Sequence, residues 1–217
     1  MNAGTTPGTA TLNDELLQGF GAVNATFSGD ADSIVHANVA GQTLTIGDDI
    51  AGGSADFATT GFVTVDLGAT LTLRDNLATL GDLTLVDGTL NVNDAGVGDG
   101  QINLSSDDNL EGGTLANPGV VNAVEVNLFS GAVRGNLTIN GLLDGSQGPN
   151  GNVNPAEALP GVGVTTANDG FVLEDGDNLR IHIDGIGIND RIVAAGNAGV
   201  VDVTDADLIL PLSLIHI

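Results

Sequence analysis

The chain has no cysteine, no tryptophan, no tyrosine and no lysine. It also lacks any apolar run of about 18 residues, the length a membrane-spanning helix needs. Each absence removes a class of function. Without cysteine there is no disulfide framework, no thiolate metal centre and no thiol nucleophile. The opening MNAGTTPGTATL carries neither the basic nor the apolar region of an export signal, so a signal is expected to lie outside this stretch. Aromatics make up 3% of the residues, which argues against an aromatic-lined enzyme pocket and against the stacking platforms sugars commonly use. Only four basic residues, Arg74, Arg134, Arg180 and Arg191, stand against 28 acidic ones, for a net charge of -24. Binding a phosphate backbone or an anionic headgroup layer takes clustered Lys and Arg. Neither nucleic acid nor membrane insertion is therefore expected; the natural counterions are metal cations or bulk salt.

What remains is glycine, 33 of 217 residues, and a 41% hydrophobic fraction supplied mostly by Leu, Val, Ile and Ala. Such residues fill narrow repeated layers well. The stretch 70–94, TLTLRDNLATLGDLTLVDGTLNVND, sets the rhythm. Leu71 and Leu73, Leu83 and Leu85, and Leu90 and Val92 recur as alternating apolar pairs flanked by Thr or Asn, the period-two pattern of half-buried strands. Asp75–Asn76, Gly81–Asp82 and Asp87–Gly88 punctuate them with turn-forming residues. GQTLTIGDD at 41–49 and GATLTLRDN at 68–76 are near copies, and GNLTING at 135–141 is a shorter one. The intervals are irregular, as expected of strands joined by loops of varying length. One-sided strands gain a continuous core by stacking coil on coil. The predicted fold is all-β, a single-stranded right-handed parallel β-helix. The alternative is an antiparallel β-sandwich, because Asp87–Gly88 is also a good two-residue hairpin turn.

The pattern divides the chain into a frayed 1–19, a strand-repeat solenoid over 20–143, a Gly/Pro/Asn-rich exposed loop over 144–170 and a terminal β-module over 171–211. Short helical turns are expected at 14–18, capped by Asn13, and at 156–158, capped by Asn154 before Pro155. The last six residues, LSLIHI at 212–217, match the in-frame translation of a transposase-type sequencing adapter and are expected to be an artefact of a metagenomic fragment.

The repeated LTI/LTL and GTLNV units, together with GDNLRIHIDG followed by NDRIVAAGNAGVVDVTDADLIL at 176–210, resemble the β-strand-repeat passenger regions of bacterial autotransporters and related large secreted surface proteins. In that family a closing module runs from a strand ending in Gly, through a short Asp-bearing loop, to a final apolar strand; 190–193 and 208–210 fit those places. The resemblance implies an extracellular or cell-surface location and a structural, adhesive role, a stalk presenting loops to glycans, matrix or a cell-surface protein. The chain departs from the family in its proline-bearing loop and in showing no membrane barrel.

No residue carries a clear catalytic, cofactor or metal assignment, and no cofactor is expected. His36 and His182 read as solvated strand residues, since an imidazole metal site wants several converging. The short-spaced acids Asp48/Asp49, Asp94/Asp99, Asp107/Asp108, Asp175/Asp177 and Asp205/Asp207 are of the type calcium requires, but more often solvate corners. The alternative function is a polysaccharide-acting β-helix enzyme, a hydrolase or lyase. It would align Asp66, Asp75, Asp87 and Glu125 from neighbouring coils, with Arg74 or Arg134 holding an acidic sugar. Asn24 and Asn136 head glycosylation-like triplets, a pattern common by chance.

Overall fold

The computed structural model describes residues 8–47, 57–74, 77–81, 83–93, 100–104, 108–114, 116–148, 150–155, 163–181, 183–184, 188–194, 200–204, 206–209 and 212–213. They form a parallel β-helix of three-sided coils. The first face stacks Thr9–Leu12, Thr26–Gly29, Phe57–Thr59, Leu77–Thr79, Gln101–Leu104, the ends of Gly119–Leu128 and Leu137–Asp144, then Gly170–Val172 and Val200–Asp202. The second stacks nine strands: Leu16–Gln18, Ile34–Ala37, Phe62–Val65, Leu83–Val86, Asn109–Gly112, Ala132–Arg134, Asn152–Asn154, Asn178–Arg180 and Asp207–Ile209. The third takes Gly21–Val23, Thr43–Ile46, Thr70–Leu73, Thr89–Val92, the beginnings of Gly119–Leu128 and Leu137–Asp144, Val164–Ala167 and Arg191–Ala194. Two long strands thus turn the corner from third face to first, and Gly119–Leu128 does so through a register shift between Asn122 and Glu125.

Inward side chains stack like on like. On the third face Leu44, Leu71, Leu90, Val121 and Ile139 follow one another in register and are all buried. On the first, Phe27 and Phe57 stack with ring centroids 5.0 Å apart. Outward on the third face runs an amide ladder: Asn91 donates to Thr72 (3.2 Å), Asn122 to Asn91 (2.6 Å), Asn140 to Asn122 (2.6 Å) and Asn168 to Asn140. Its steps span 19, 31, 18 and 28 residues, so the coils differ widely in length while the stacked strands keep register. Variation is confined to the corners, where added chain costs little.

Several expectations are corrected. Asp87–Gly88 closes no hairpin: Leu83–Val86 pairs with Phe62–Val65 and Asn109–Gly112, and Thr89–Val92 with Thr70–Leu73, all parallel. The β-sandwich is thereby excluded. Gly88 is needed for space, because a Cβ there would collide with the carbonyl oxygens of Asp66 and Ala69 in the coil beneath. Leu83 and Leu85 do not point inward. Thr84 and Val86 do, while Leu85 is 36% exposed. Residues 14–18 form no helical turn; Leu16–Gln18 is a strand whose Leu17 lies in register with Val35, after Asp14 at φ 55°. The proline-bearing stretch is not one long loop, since Asn152–Asn154 and Val164–Ala167 supply two sides of a coil. Strands from 170–209 continue the same stacks. Off the stacks, Ile183–Asp184 pairs antiparallel with Ile188–Asn189 and parallel with Leu212–Ser213. The turn expected at 156–158 lies outside the described residues.

Candidate functional site

Strand pairing brings outward residues from distant parts of the chain into rows. On the second face one row reads Leu16, Ile34, Phe62, Leu83, Asn109, Ala132, Asn152, Asn178, Asp207. The row beside it reads Gln18, His36, Thr64, Leu85, Glu111, Arg134, Asn154, Arg180, Ile209. The first row changes at the fifth coil from apolar to mainly polar, and from the sixth coil the second, polar for most of its length, carries the two arginines.

The polar half holds two adjoining depressions that share Arg134 and Asn152. The smaller, about 150 Å³, is bounded by Asp108, Asn109, Ser130, Gly131 and Ala132. The larger, about 390 Å³, is lined by Val153, Asn154, Asn178, Arg180 and Ile209. Arg134 Nη1 lies 3.6 Å from Glu111 Oε1 on the neighbouring rung, which leaves Arg180, on an exposed strand end, as the less committed cation. Asn154 Oδ1 is buried without a hydrogen-bond partner. At the groove's edge Ser130 adopts φ 136°, a backbone region that is costly for any residue but glycine. Two guanidinium forks flanking three amides make a site for planar anions and hydroxyls rather than for proton transfer.

The first face carries a different arrangement. Gln101 Nε2 donates to Glu125 Oε2 at 2.8 Å, and Asn127 Nδ2 to Asn103 Oδ1 at 3.1 Å. Asp144, in register with Asn127, accepts from the Ser146 backbone N–H (2.8 Å) and Gln147 Nε2 (3.1 Å). Burial pushes the Glu125 carboxyl up, and the charge of Asp144 and a hydrogen bond between the two carboxyl groups push it further. Burial acts on Asp144 in the same direction but is outweighed by its hydrogen bonds from Ser146, Gln147 and Glu125, which hold it below the usual value. The two carboxyls are thus pushed in opposite directions, Glu125 toward its neutral form and Asp144 toward its charged one.

The other acids named from sequence divide among corners. Asp66 and Asp87 follow the register partners Val65 and Val86 and so stack at one corner, whereas Glu125 is on the first face. They do not converge. Asp66 Oδ1 is 3.0 Å from His36 Nε2, which places His36 in a corner contact. Asp177 is fully buried and accepts from the backbone N–H groups of Gly151 (2.7 Å) and Glu174 (3.0 Å). It is pushed up by burial, against those two bonds, with help from the charges of Glu174 and Asp144. Asp190 likewise accepts from Gly163 N–H at 2.9 Å. These carboxylates staple one coil to the next. Asn136 donates to Gly113 O and accepts from Val164 N–H. Asp75, His182, Asp48, Asp49, Asp94, Asp99, Asp107 and Asp205 lie outside the described residues. Among the described residues no three His, Cys, Asp or Glu side chains are grouped so as to hold a metal ion, and no helix is long and apolar enough to cross a membrane.

Sequence reasoning singled out Arg134 but missed its alignment with Asn154 and Arg180. The signal was faint: NVN at 152–154 and NLR at 178–180 share the polar–apolar–polar pattern, but only strand pairing puts them side by side. Comparison with protein-family models, with curated proteins and with solved structures finds no match.

Proposed function

We propose that this chain is a rigid structural and adhesive module of a secreted or cell-surface protein, of the autotransporter-passenger kind its repeats resemble. The observation that carries this reading is the parallel stacking from Thr9–Leu12 to Val200–Asp202 around one continuous hydrophobic core. A stack of this kind is stiff along its length, and its outward rows can vary without disturbing the interior. The net charge of -24 favours solubility in salty surroundings, where charges are screened beyond about 8 Å.

The polysaccharide-enzyme reading is less well supported. Carboxyls that flank a glycosidic bond stand roughly 5 to 9.5 Å apart. Glu125 and Asp144 stand close enough for the charge of Asp144 to raise the Glu125 carboxyl, and Asp144 is buried beneath its bonds to 146 and 147. The test is attachment without turnover. Particles coated with the chain are expected to be retained on matrix-, cell- or glycan-coated surfaces better than particles coated with an unrelated protein of equal charge, and to release no reducing ends or unsaturated sugars. Absence of retention on every surface would remove the adhesive role. Turnover lost on substituting Glu125 or Asp144 would move the protein among the enzymes.

A further inference from the structure

We infer that the groove lined by Arg134, Asn152, Asn154, Asn178 and Arg180 binds an extended polysaccharide bearing carboxylate groups, a polyuronate. The inference rests on the adhesive reading and specifies its ligand. Arg134 and Arg180 project from the second face with one strand, Asn152–Asn154, between them. They therefore lie two strand spacings apart, about 10 Å. One strand spacing is close to the length of a pyranose ring in an extended chain. A polyuronate laid along the coil axis thus presents one sugar per rung and brings alternate carboxylates to the two guanidinium forks, which suit planar carboxylates bidentately. The intervening amides of Asn152, Asn154 and Asn178 supply donors and acceptors for ring hydroxyls. The Asn154 side-chain oxygen has no partner to lose, so turning that amide toward a hydroxyl breaks no bond of the oxygen. Ile209, 43% exposed at the groove's end, offers an apolar contact for a ring face.

The composition narrows the ligand further. With no Trp or Tyr in the chain and no Phe among the residues that line the groove, a neutral sugar finds no aromatic platform there, and what the groove offers is charge and amides. The acids near it are Glu111, already paired with Arg134, Asp108 at the rim of the smaller depression, Asp207 on the rung after Asn178, and Asp177, buried beneath the groove and bonded to the Gly151 and Glu174 N–H groups. At physiological ionic strength the more distant charges are largely screened, so a short bound segment feels the groove more than the whole chain.

The experiment is titration calorimetry at physiological salt with EDTA present, using a short linear oligogalacturonate, its full methyl ester and a sulfated oligosaccharide of similar length. Binding of the free acid is expected, with none by the ester. Arg180→Gln should weaken it about tenfold, as loss of a charge-assisted pair does. Arg180→Lys should recover part of the loss, and Arg134→Gln with Arg180→Gln should abolish binding. Far-UV circular dichroism shows which variants remain folded; because Arg180 is exposed, its variants carry the test if Arg134→Gln unfolds. Equal binding of the ester, undiminished binding by Arg180→Gln, preference for the sulfated chain, or no binding of the free acid without calcium would each overturn the proposal. None of these outcomes bears on retention of the coated particles by protein matrix, so the adhesive reading stands or falls separately.

Discussion

The second face is two surfaces on one scaffold. Over its first four strands the outward row is Leu16, Ile34, Phe62 and Leu83; over the next four it is Asn109, Ala132, Asn152 and Asn178, flanked by Arg134 and Arg180. Beneath both halves the inward row hardly changes: Leu17, Val35, Val63, then Leu110, Val133, Val153 and Leu179, with Thr84 as the one polar member. The backbone is the same parallel ladder throughout. Fold and surface chemistry are therefore carried by alternate residues of the same strands, and the face can change from apolar to cationic without change in the core. Leu16, Ile34 and Phe62 are 49%, 37% and 39% exposed, so their apolar row belongs to the surface.

The inward–outward division is broken most severely inside. Leu71→Ala should cost about 2 to 5 kcal/mol, because Leu71 is fully buried between Leu44 and Leu90 and leaves a cavity. Leu85→Ala, on an adjacent coil but outward, should cost under about 1 kcal/mol. Urea unfolding of the pair reads both; equal losses would mean that the outward row is core. A change of opposite sign is expected at Thr84. Its hydroxyl is fully buried, faces Val63 and Leu110, and has no partner. Thr84→Val keeps the volume and should raise stability by about 1 to 2 kcal/mol in the same measurement. A loss would mean that the hydroxyl is satisfied.

The smallest effect separates the two ends of the solenoid by pH. Glu125 and Asp177 have folded-state pKa values raised above their ordinary 4.5 and 3.8. Between those ordinary values and the raised ones the folded chain holds more protons than the unfolded one, so stability falls as pH rises through that window. Asp144, held low, works the other way: its contribution is present above 3.8 and is lost only as pH falls through its lowered value. Raising pH from about 4.5 to 7 is therefore expected to loosen the coils around 119–180 more than those around 26–73. Amide exchange, corrected for its intrinsic pH dependence, checks this region by region. A uniform change along the chain would show that total charge, rather than these carboxyls, governs the response.

The interior was readable where the alternation was unambiguous. In TLTL at 70–73 and TLNV at 89–92 the apolar residues are the inward ones. In LTLV at 83–86 both phases have apolar members, and a one-residue shift exchanges the two surfaces of a strand. Local hydrophobicity favours Leu83 and Leu85; register with Val63 and Val65 puts Thr84 and Val86 inside instead. The stretch 144–170 read as a loop because prolines, glycines and asparagines dominate it. Its short strands are held by pairing with the coils before and after them, which no local pattern reports.

The amino-acid sequence by itself determined that this protein is all-β, aliphatic in its core, acidic and built from stacked one-sided strands, because period-two alternation and composition are local properties. Only the tertiary structure decided which outward residues stand together. Arg134 and Arg180 are separated by 46 positions and by one intervening strand, with coil lengths that no fixed repeat announces. Parallel stacking turns that sequence distance into a spatial one set by hydrogen-bonded strand spacing, and a groove forms where none could be read along the chain.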